Sequence, residues 1–384
     1  MQLLPLDNPI MHYAWGSPDA IPRLLGRDNP GGEPWAELWM GAHPKAPSSV
    51  RVGGESVPLD ALIEREPAAI LGEGGGARLP FLFKVLAAGR PLSIQCHPDL
   101  AQARAGFARE EAAGIPRSAP NRSYRDDNHK PELIVALTPF VALKGFRARS
   151  EIRAGVAAHV PGFVLPEQRL LDQPGGLSRF FSALLTLPDE RREAVLNAAL
   201  RRSAPNGWIH RLNREYPDDI GALAPLILNL VTLRPGEALF LEARELHAYV
   251  EGLGLEVMAN SDNVLRGGLT AKHIDVPELL ATLNFERNYP KILTPEAAGS
   301  VEAIYRTPAP EFALSVVTLE GGRAFVAPKD RGVEILLATE GEVRAICAGE
   351  TVAMSQGTSL LAPAAAGAYR LEGEGTVYRV RVSS

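Results

Sequence analysis

The chain has 384 residues with 40 Lys and Arg against 45 Asp and Glu, a net charge of −5. It has no basic run and no basic stripe interleaved with aromatics, so it lacks the electrostatic footprint of a nucleic-acid binder; a phosphate-sized anion needs only a local cluster of cations. Two distant cysteines exclude a disulfide framework and a cysteine-built metal site. No apolar run is long enough to span a bilayer, and residues 1–7 lack the pattern of a secretory leader, so a cytoplasmic protein is expected.

The length supports a substantial core and two or three domains. The first 60 residues, rich in Pro, Gly and Trp with short apolar runs, predict strands and turns rather than long helices. In Tyr13-Ala-Trp-Gly-Ser17 and Glu37-Leu-Trp-Met-Gly-Ala-His-Pro44, Trp15 and His43 could line a pocket or simply pack. Gly74-Gly-Gly76 has neither phosphate-loop nor dinucleotide spacing and reads as a turn.

Residues 79–98 predict two strands around the turn Ala87-Ala-Gly-Arg-Pro91. Lys84 lies inside the first among apolar neighbours; burying its charge without a partner is costly, so it predicts a polar cavity or an exposed edge. In the second, alternation puts Ser93, Gln95 and His97 on one face and Leu92, Ile94 and Cys96 on the other. Asp99 then caps an alanine-rich helix over residues 99–113. In Asn128-His-Lys-Pro-Glu132, which opens an apolar strand, Lys130 and Glu132 share one side and His129 falls on the other unless Pro131 distorts the start.

Residues 150–230 predict a helical insert: Leu177, Phe180, Phe181, Leu184 and Leu185 form a helical stripe, and the segment from Asp189 begins with an N-cap and an acidic first turn. Strand character returns from Arg234, with His247 near a strand end, and the next stretch gathers Glu256, Asp262, Arg266 and Lys272. A helix is predicted from Val276 to about Asn288. Residues 298–384 read as an all-β domain, a jelly roll or sandwich, with Cys347 in its core. The expected division is therefore 1–149 and 231–297 for a catalytic domain, 150–230 for the insert and 298–384 for the last domain.

Four candidate metal ligands emerge: Gln95 and His97 on one strand, Glu132 at the start of another, and His247 at the end of a third. Two imidazoles, a carboxylate and an amide suit zinc without excluding iron, manganese or cobalt. Their dispersed spacing is not a metal motif by arithmetic alone.

The segments Tyr13-Ala-Trp-Gly-Ser, Glu37-Leu-Trp-Met-Gly-Ala-His-Pro-Lys, Pro80-Phe-Leu-Phe-Lys-Val-Leu, Pro91-Leu-Ser-Ile-Gln-Cys-His-Pro, Asn128-His-Lys-Pro-Glu and Met258-Ala-Asn-Ser-Asp-Asn-Val-Leu-Arg-Gly-Gly-Leu resemble, in order, type I mannose-6-phosphate isomerase. The resemblance implies a mainly β fold: a cupin-like jelly-roll core with one zinc ion per chain, an inserted helical domain and a C-terminal jelly roll. It implies Gln95, His97, Glu132 and His247 as zinc ligands. It also sets Lys84, Ser93, His129, Lys130, Glu256, Asp262, Arg266 and Lys272, with Trp15, around a sugar-phosphate pocket. Leu246 and Ala271 stand where the family's pattern frequently has proline.

The implied reaction interconverts mannose 6-phosphate and fructose 6-phosphate through an enediol(ate), moving a proton between adjacent carbons. Arg266 would add positive charge near the developing oxyanion, Lys272 or Lys84 would meet the phosphate, and His129 and Lys130, ahead of Glu256, are the acid/base candidates. A metal-dependent cupin oxygenase is the main alternative, but it offers two histidines and a carboxylate with open positions, which a fourth ligand Gln95 and a cationic pocket disfavour. A non-catalytic sugar-phosphate-binding cupin would not need metal, acid and base together, and a fused nucleotidyltransferase would need a glycine-rich loop. The expected partner is a small sugar phosphate and the expected state a monomer.

Overall fold

The computed structural model describes residues 1–162, 165–286 and 289–383. Strand Phe81–Ala88 shows how the fold is assembled. All eight of its residues are buried, but on two unlike faces. Phe81, Phe83, Val85 and Ala87 enter an apolar layer, whereas Lys84 and Leu86 face a polar cavity. Full burial of a side chain such as Phe83 stabilises the fold by roughly 1.5–3 kcal/mol, and the alternation allows one strand to serve both a core and a site.

Phe81–Ala88 belongs to an antiparallel sheet that runs Ile292–Leu293, Ala238–Leu241, Glu132–Ala136, His247–Ala259, Phe81–Ala88, Glu37–Met40, Ile10–Met11. The thirteen-residue strand His247–Ala259 is its organiser. Its second half lies between Phe81–Ala88 and Glu132–Ala136, with Glu256 directly opposite Lys84. Its first half leaves those partners and pairs with Phe140–Phe146 and, at His247, with Gln95 of strand Ile94–Cys96. The change of partners coincides with a register shift between Tyr249 and Glu251 and with Gly252, whose φ is +127°. A Cβ on Gly252 would come within 2.7 Å of the Phe140 ring, so the bend requires glycine. The shift reverses side-chain parity, which is why odd-numbered His247 and Tyr249 and even-numbered Glu256 line one cavity. His247 thus opens a strand rather than ending one, as the sequence pattern had suggested.

The second sheet holds strands Ala313–Leu319, Glu334–Cys347, Ser359–Ala362 and Arg370–Arg381, as expected for an all-β C-terminal part. The sequence pattern did not indicate that Leu4–Asp7, Ser49–Val52 and Glu55–Pro58 extend this same sheet, with Leu4 opposite Leu361. The two sheets share one apolar layer, in which Phe83, Val85 and Val257 meet Phe312, Leu314 and Ile335. The N-terminal strands therefore stitch the chain's two ends together.

Helices run from Arg149–His159 to Ala224–Ile227 and pack on the outer face of the site-bearing strands, against Ile94, Cys96 and Leu143. The expected stripe is buried at Leu177, Phe180, Phe181 and Leu184 of helix Gly176–Leu185. Pro188, not Asp189, precedes the next helix and offers no side-chain cap, although Asp189 and Glu190 do supply its acidic first turn. Residues 228–230, read with the insert, belong to strand Leu228–Leu233. The helix at Val276 ends at Thr282; Asn288 lies outside the described residues. No helix among the described residues is long and apolar enough to cross a membrane.

Candidate active site

Strand Ile94–Cys96 is only three residues long, yet it fixes most of the site. Cys96 and Ile94 point into the helix-facing core, while Gln95 turns to the cavity, as alternation predicts. Gln95 stands in register with His247 on one side and Arg266 on the other. Beyond Cys96, helix Leu100–Ala112 begins with a reciprocal cap in which Asp99 accepts from the Gln102 N–H at 2.8 Å. This cap sets the direction of the chain leaving His97. The His97 carbonyl also accepts from Arg244 N–H at 2.7 Å, tying it to the turn before His247.

His97, Glu132 and His247 are all buried and bring their ligand atoms within 4.8 Å of one another. The hydrogen bonds of the two rings fix their tautomers. His97 Nδ1–H donates to the Asn263 carbonyl at 2.7 Å and His247 Nδ1–H to the Glu245 carbonyl at 3.2 Å. Carbonyls only accept, so Nδ1 is the donor in each ring and Nε2 is the nitrogen turned on Glu132, each lying 3.4 Å from one of its oxygens. His97 Nε2 is buried without a hydrogen-bond partner. Lone pairs turned on a carboxylate repel unless a cation lies between them, and a neutral imidazole oriented by its other nitrogen is the usual form of a metal ligand. The residues present therefore fit one metal ion, and the donor set suits zinc. Burial, reinforced by the Lys130 charge, holds the His97 pKa down to about 4, so the ring stays neutral at pH 7. Against the cost of burial, Lys130 keeps the Glu132 carboxyl well below the usual range.

Around this triad opens a cavity of about 410 Å³, lined by Trp15, Lys84, Ser93, Gln95, Lys130, Glu132, His247, Glu256, Arg266 and Lys272 among others. That size is ordinary for a small-molecule site. Lys84 proves to be a cavity lysine and not an edge lysine: its Nζ lies 2.9 Å from Glu256 and 3.2 Å from Glu37, all three side chains being almost fully buried. Against burial, Glu256 and Glu37 raise the Lys84 pKa, so it is a fixed cation. Burial raises the Glu256 pKa despite Lys84, and Glu132 and Glu37 add to the effect. Lys130 Nζ sits 3.0 Å from Glu132.

Arg266 and Lys272 line the cavity without a carboxylate ion-pair partner among the described residues. Burial lowers both pKa values, with the Arg125 charge adding to the effect on Arg266 and the Arg266, Arg125 and Lys45 charges adding to that on Lys272. Unpaired cations at the rim of a cavity make a seat for an anion. Ser93 Oγ accepts from Gln95 Nε2 at 3.3 Å. Trp15 stacks on Tyr13 with ring centroids 5.7 Å apart.

Two expected pocket residues are elsewhere. His129 points away from the cavity and donates from Nε2 to Glu311 at 2.5 Å. Its opposite parity to Lys130 was visible in the sequence; only the resemblance had set it in the pocket. Asp262 pairs with Lys45 at 2.7 Å, 3.8 Å from His43, outside the cavity lining. His43 packs its ring on Trp39 at 4.9 Å. Conversely Glu37, Tyr13 and Tyr249 line the cavity and were not anticipated. Tyr249 had a signal, lying two residues from His247 and so on the same face. Leu246 is buried beside Gly267, and its carbonyl accepts from Gly145 N–H at 2.8 Å, so the approach to His247 is firmly held.

Comparison with known proteins gives a consistent picture. The family model described as "Phosphomannose isomerase type I, catalytic domain" matches residues 3–149. Mannose-6-phosphate isomerase of Escherichia coli is 42% identical over 98% of each chain, and that of Salmonella typhimurium 45% identical over 88% of each. A crystal structure of zinc-bound mannose 6-phosphate isomerase superposes with a TM-score of 0.93 at 41% identity, covering all of both chains. The fold is thus the cupin type of that enzyme. With relatives this similar over nearly their whole length, the chain belongs to the type I phosphomannose isomerase family.

Proposed function

We propose that this protein is a zinc-dependent isomerase that interconverts mannose 6-phosphate and fructose 6-phosphate through an enediol(ate). The observation that carries this reading is the coexistence, in one cavity, of the His97–Glu132–His247 triad and the unpaired cations Arg266 and Lys272. His97, Glu132 and His247, with Gln95 as a fourth donor, would hold the zinc ion, which when bound would supply Lewis-acid chemistry to the isomerisation. An oxygenase would use the metal but not the anion seat, and a non-catalytic binder the anion seat but not the metal.

In this reading Lys272 and Arg266 receive the phosphate end, with Arg266, in register with Gln95, close enough to the triad to balance charge developing on substrate oxygen. Ser93 and Trp15 fix the sugar against the cavity wall. Glu256 and Lys130 are the cavity-facing groups suited to moving the proton. Glu256 keeps a raised pKa by burial, which makes its carboxylate a stronger base than an exposed one, and Lys84, held by Glu37, remains charged beside it. Asp262 and His129 stand behind this set and shape the loops that carry it. A single chain supplies the whole candidate donor set and both rim cations, so the chemistry needs no residue from a second copy and we propose a monomer as the working unit; both cysteines are free and buried, which suits the reducing cytoplasm.

The test is metal analysis joined to a coupled assay for fructose 6-phosphate formed from mannose 6-phosphate. Turnover is expected in the zinc-loaded protein, is lost on chelation and returns with zinc. A fully loaded protein without turnover would refute the isomerase reading.

A further inference from the structure

The loop between strands Glu302–Tyr305 and Ala313–Leu319 reaches from the C-terminal sheet to the edge of the active site. Ala309 and Phe312 are buried in the apolar layer that the two sheets share, so the loop is pinned on both sides of Glu311. Glu311 Oε1 accepts from His129 Nε2 at 2.5 Å, the two side chains being only 15% and 23% exposed. Its second oxygen, Oε2, is buried without a hydrogen-bond partner. Among the described residues, His129 is thus the one side chain that this carboxylate is given to hold.

His129 and Lys130 are consecutive and point opposite ways, His129 to the C-terminal loop and Lys130 into the cavity beside Glu132. Asn128 is already fixed, its amide donating to the Asn260 carbonyl at 3.1 Å and its carbonyl accepting from Asn263 at 2.9 Å. Pro131 has no N–H to give. Between Asn128 and the ligand Glu132, the side chain tied to the C-terminal loop is His129, through Glu311.

We propose that Glu311, supplied by the C-terminal part of the chain, is a positioning residue for the active site: it holds His129 outward and so fixes Lys130 in the cavity. This rests on the isomerase reading above. A catalytic side chain must be held within a fraction of an ångström of its working place, and a tie on the neighbouring residue is a direct way to do so.

The test compares full-length zinc-loaded wild type with Glu311→Ala, Glu311→Gln, His129→Ala and the Glu311→Ala/His129→Ala double variant, reading kcat, KM for mannose 6-phosphate, zinc content and melting temperature. Glu311→Ala is expected to lower kcat ~10-fold, the scale seen when partners behind a site are removed, with KM and zinc content unchanged. Glu311→Gln keeps an acceptor oxygen and is expected to recover to within ~3-fold of wild type. The double variant is expected to be no slower than His129→Ala, since both changes cut one tie. A wild-type kcat in Glu311→Ala, a Gln variant as slow as the Ala variant, or losses that multiply in the double variant would each overturn the proposal. The wild-type rate tests the isomerase reading and the variant-to-wild-type ratio tests this one, so the two failures are distinguishable.

Discussion

Each β half of the molecule buries a carboxylate–cation cluster, and the two clusters are finished differently. In the C-terminal sheet, Glu334 is fully buried and saturated: Arg379 donates from Nη2 to Oε1 at 2.5 Å and from Nε to Oε2 at 2.8 Å, while Tyr369 donates to Oε2 at 2.6 Å. Arg379 spends a third nitrogen on Glu302, which also accepts from Ser315. In the N-terminal half, Glu37, Lys84 and Glu256 form a similar ion-paired group, but it opens on a cavity, and His97 Nε2 nearby has no hydrogen-bond partner. A saturated buried cluster staples a fold together; one left partly open at a cavity is prepared for something that arrives later. The comparison separates stability from chemistry within one chain.

Three perturbations sharpen that contrast. The largest effect is expected from His97→Ala, which removes a metal donor: zinc content falls and turnover drops by at least ~10⁴-fold. Arg266→Ala, in contrast, is expected to retain zinc while losing turnover, so equal metal loss in the two variants would break the assignment. Next comes Glu334→Ala, which strands the buried Arg379 guanidinium and is expected to cost ~3–5 kcal/mol of stability, read by denaturant unfolding, with kcat of the folded protein unchanged. A parallel loss of kcat would show that the C-terminal cluster is not merely a staple.

The smallest effect is a pH dependence in the metal-free protein. In the unfolded chain His97 takes up a proton near its ordinary pKa of 6.5, whereas the folded protein keeps it neutral down to about 4. Between those values the unfolded state binds more protons, so this histidine's contribution is fully present above pH 6.5 and is lost as pH falls towards 4, by ~3 kcal/mol. Melting curves of the metal-free protein should show this slope, and His97→Gln should remove it. An equal slope in the variant would assign the effect to another group.

Much of the site could be read before the fold was known, because strand alternation is a local rule. It correctly split Gln95 and His97 from Cys96, and Lys130 and Glu132 from His129. The helix after Asp99 was equally legible, since a cap and an alanine-rich interior act over a few residues. What escaped depends on distant pairing. Nothing local announces that Leu4 pairs with Leu361, that Glu37 reaches Lys84, or that a register shift at Tyr249 lets His247 and Glu256 face the same space. The four proposed ligands stood out as candidates by residue type and strand position, but their dispersed spacing did not make them a metal motif, and it was the resemblance that assigned them to zinc.

The bent strand His247–Ala259 also has a consequence for how the protein is made. A chain emerges from the ribosome N-terminus first, so Gln95, His97 and Glu132 are synthesised well before His247, with the helical region in between. The triad cannot close until that strand slots between Phe81–Ala88 and Glu132–Ala136, a non-local pairing that loop-closure entropy makes slow. Metal capture therefore comes after synthesis of the central strand, and bound metal stabilises the completed sheet over earlier, partly assembled forms. A chain truncated before residue 247 would hold three of the proposed donors and no closed site.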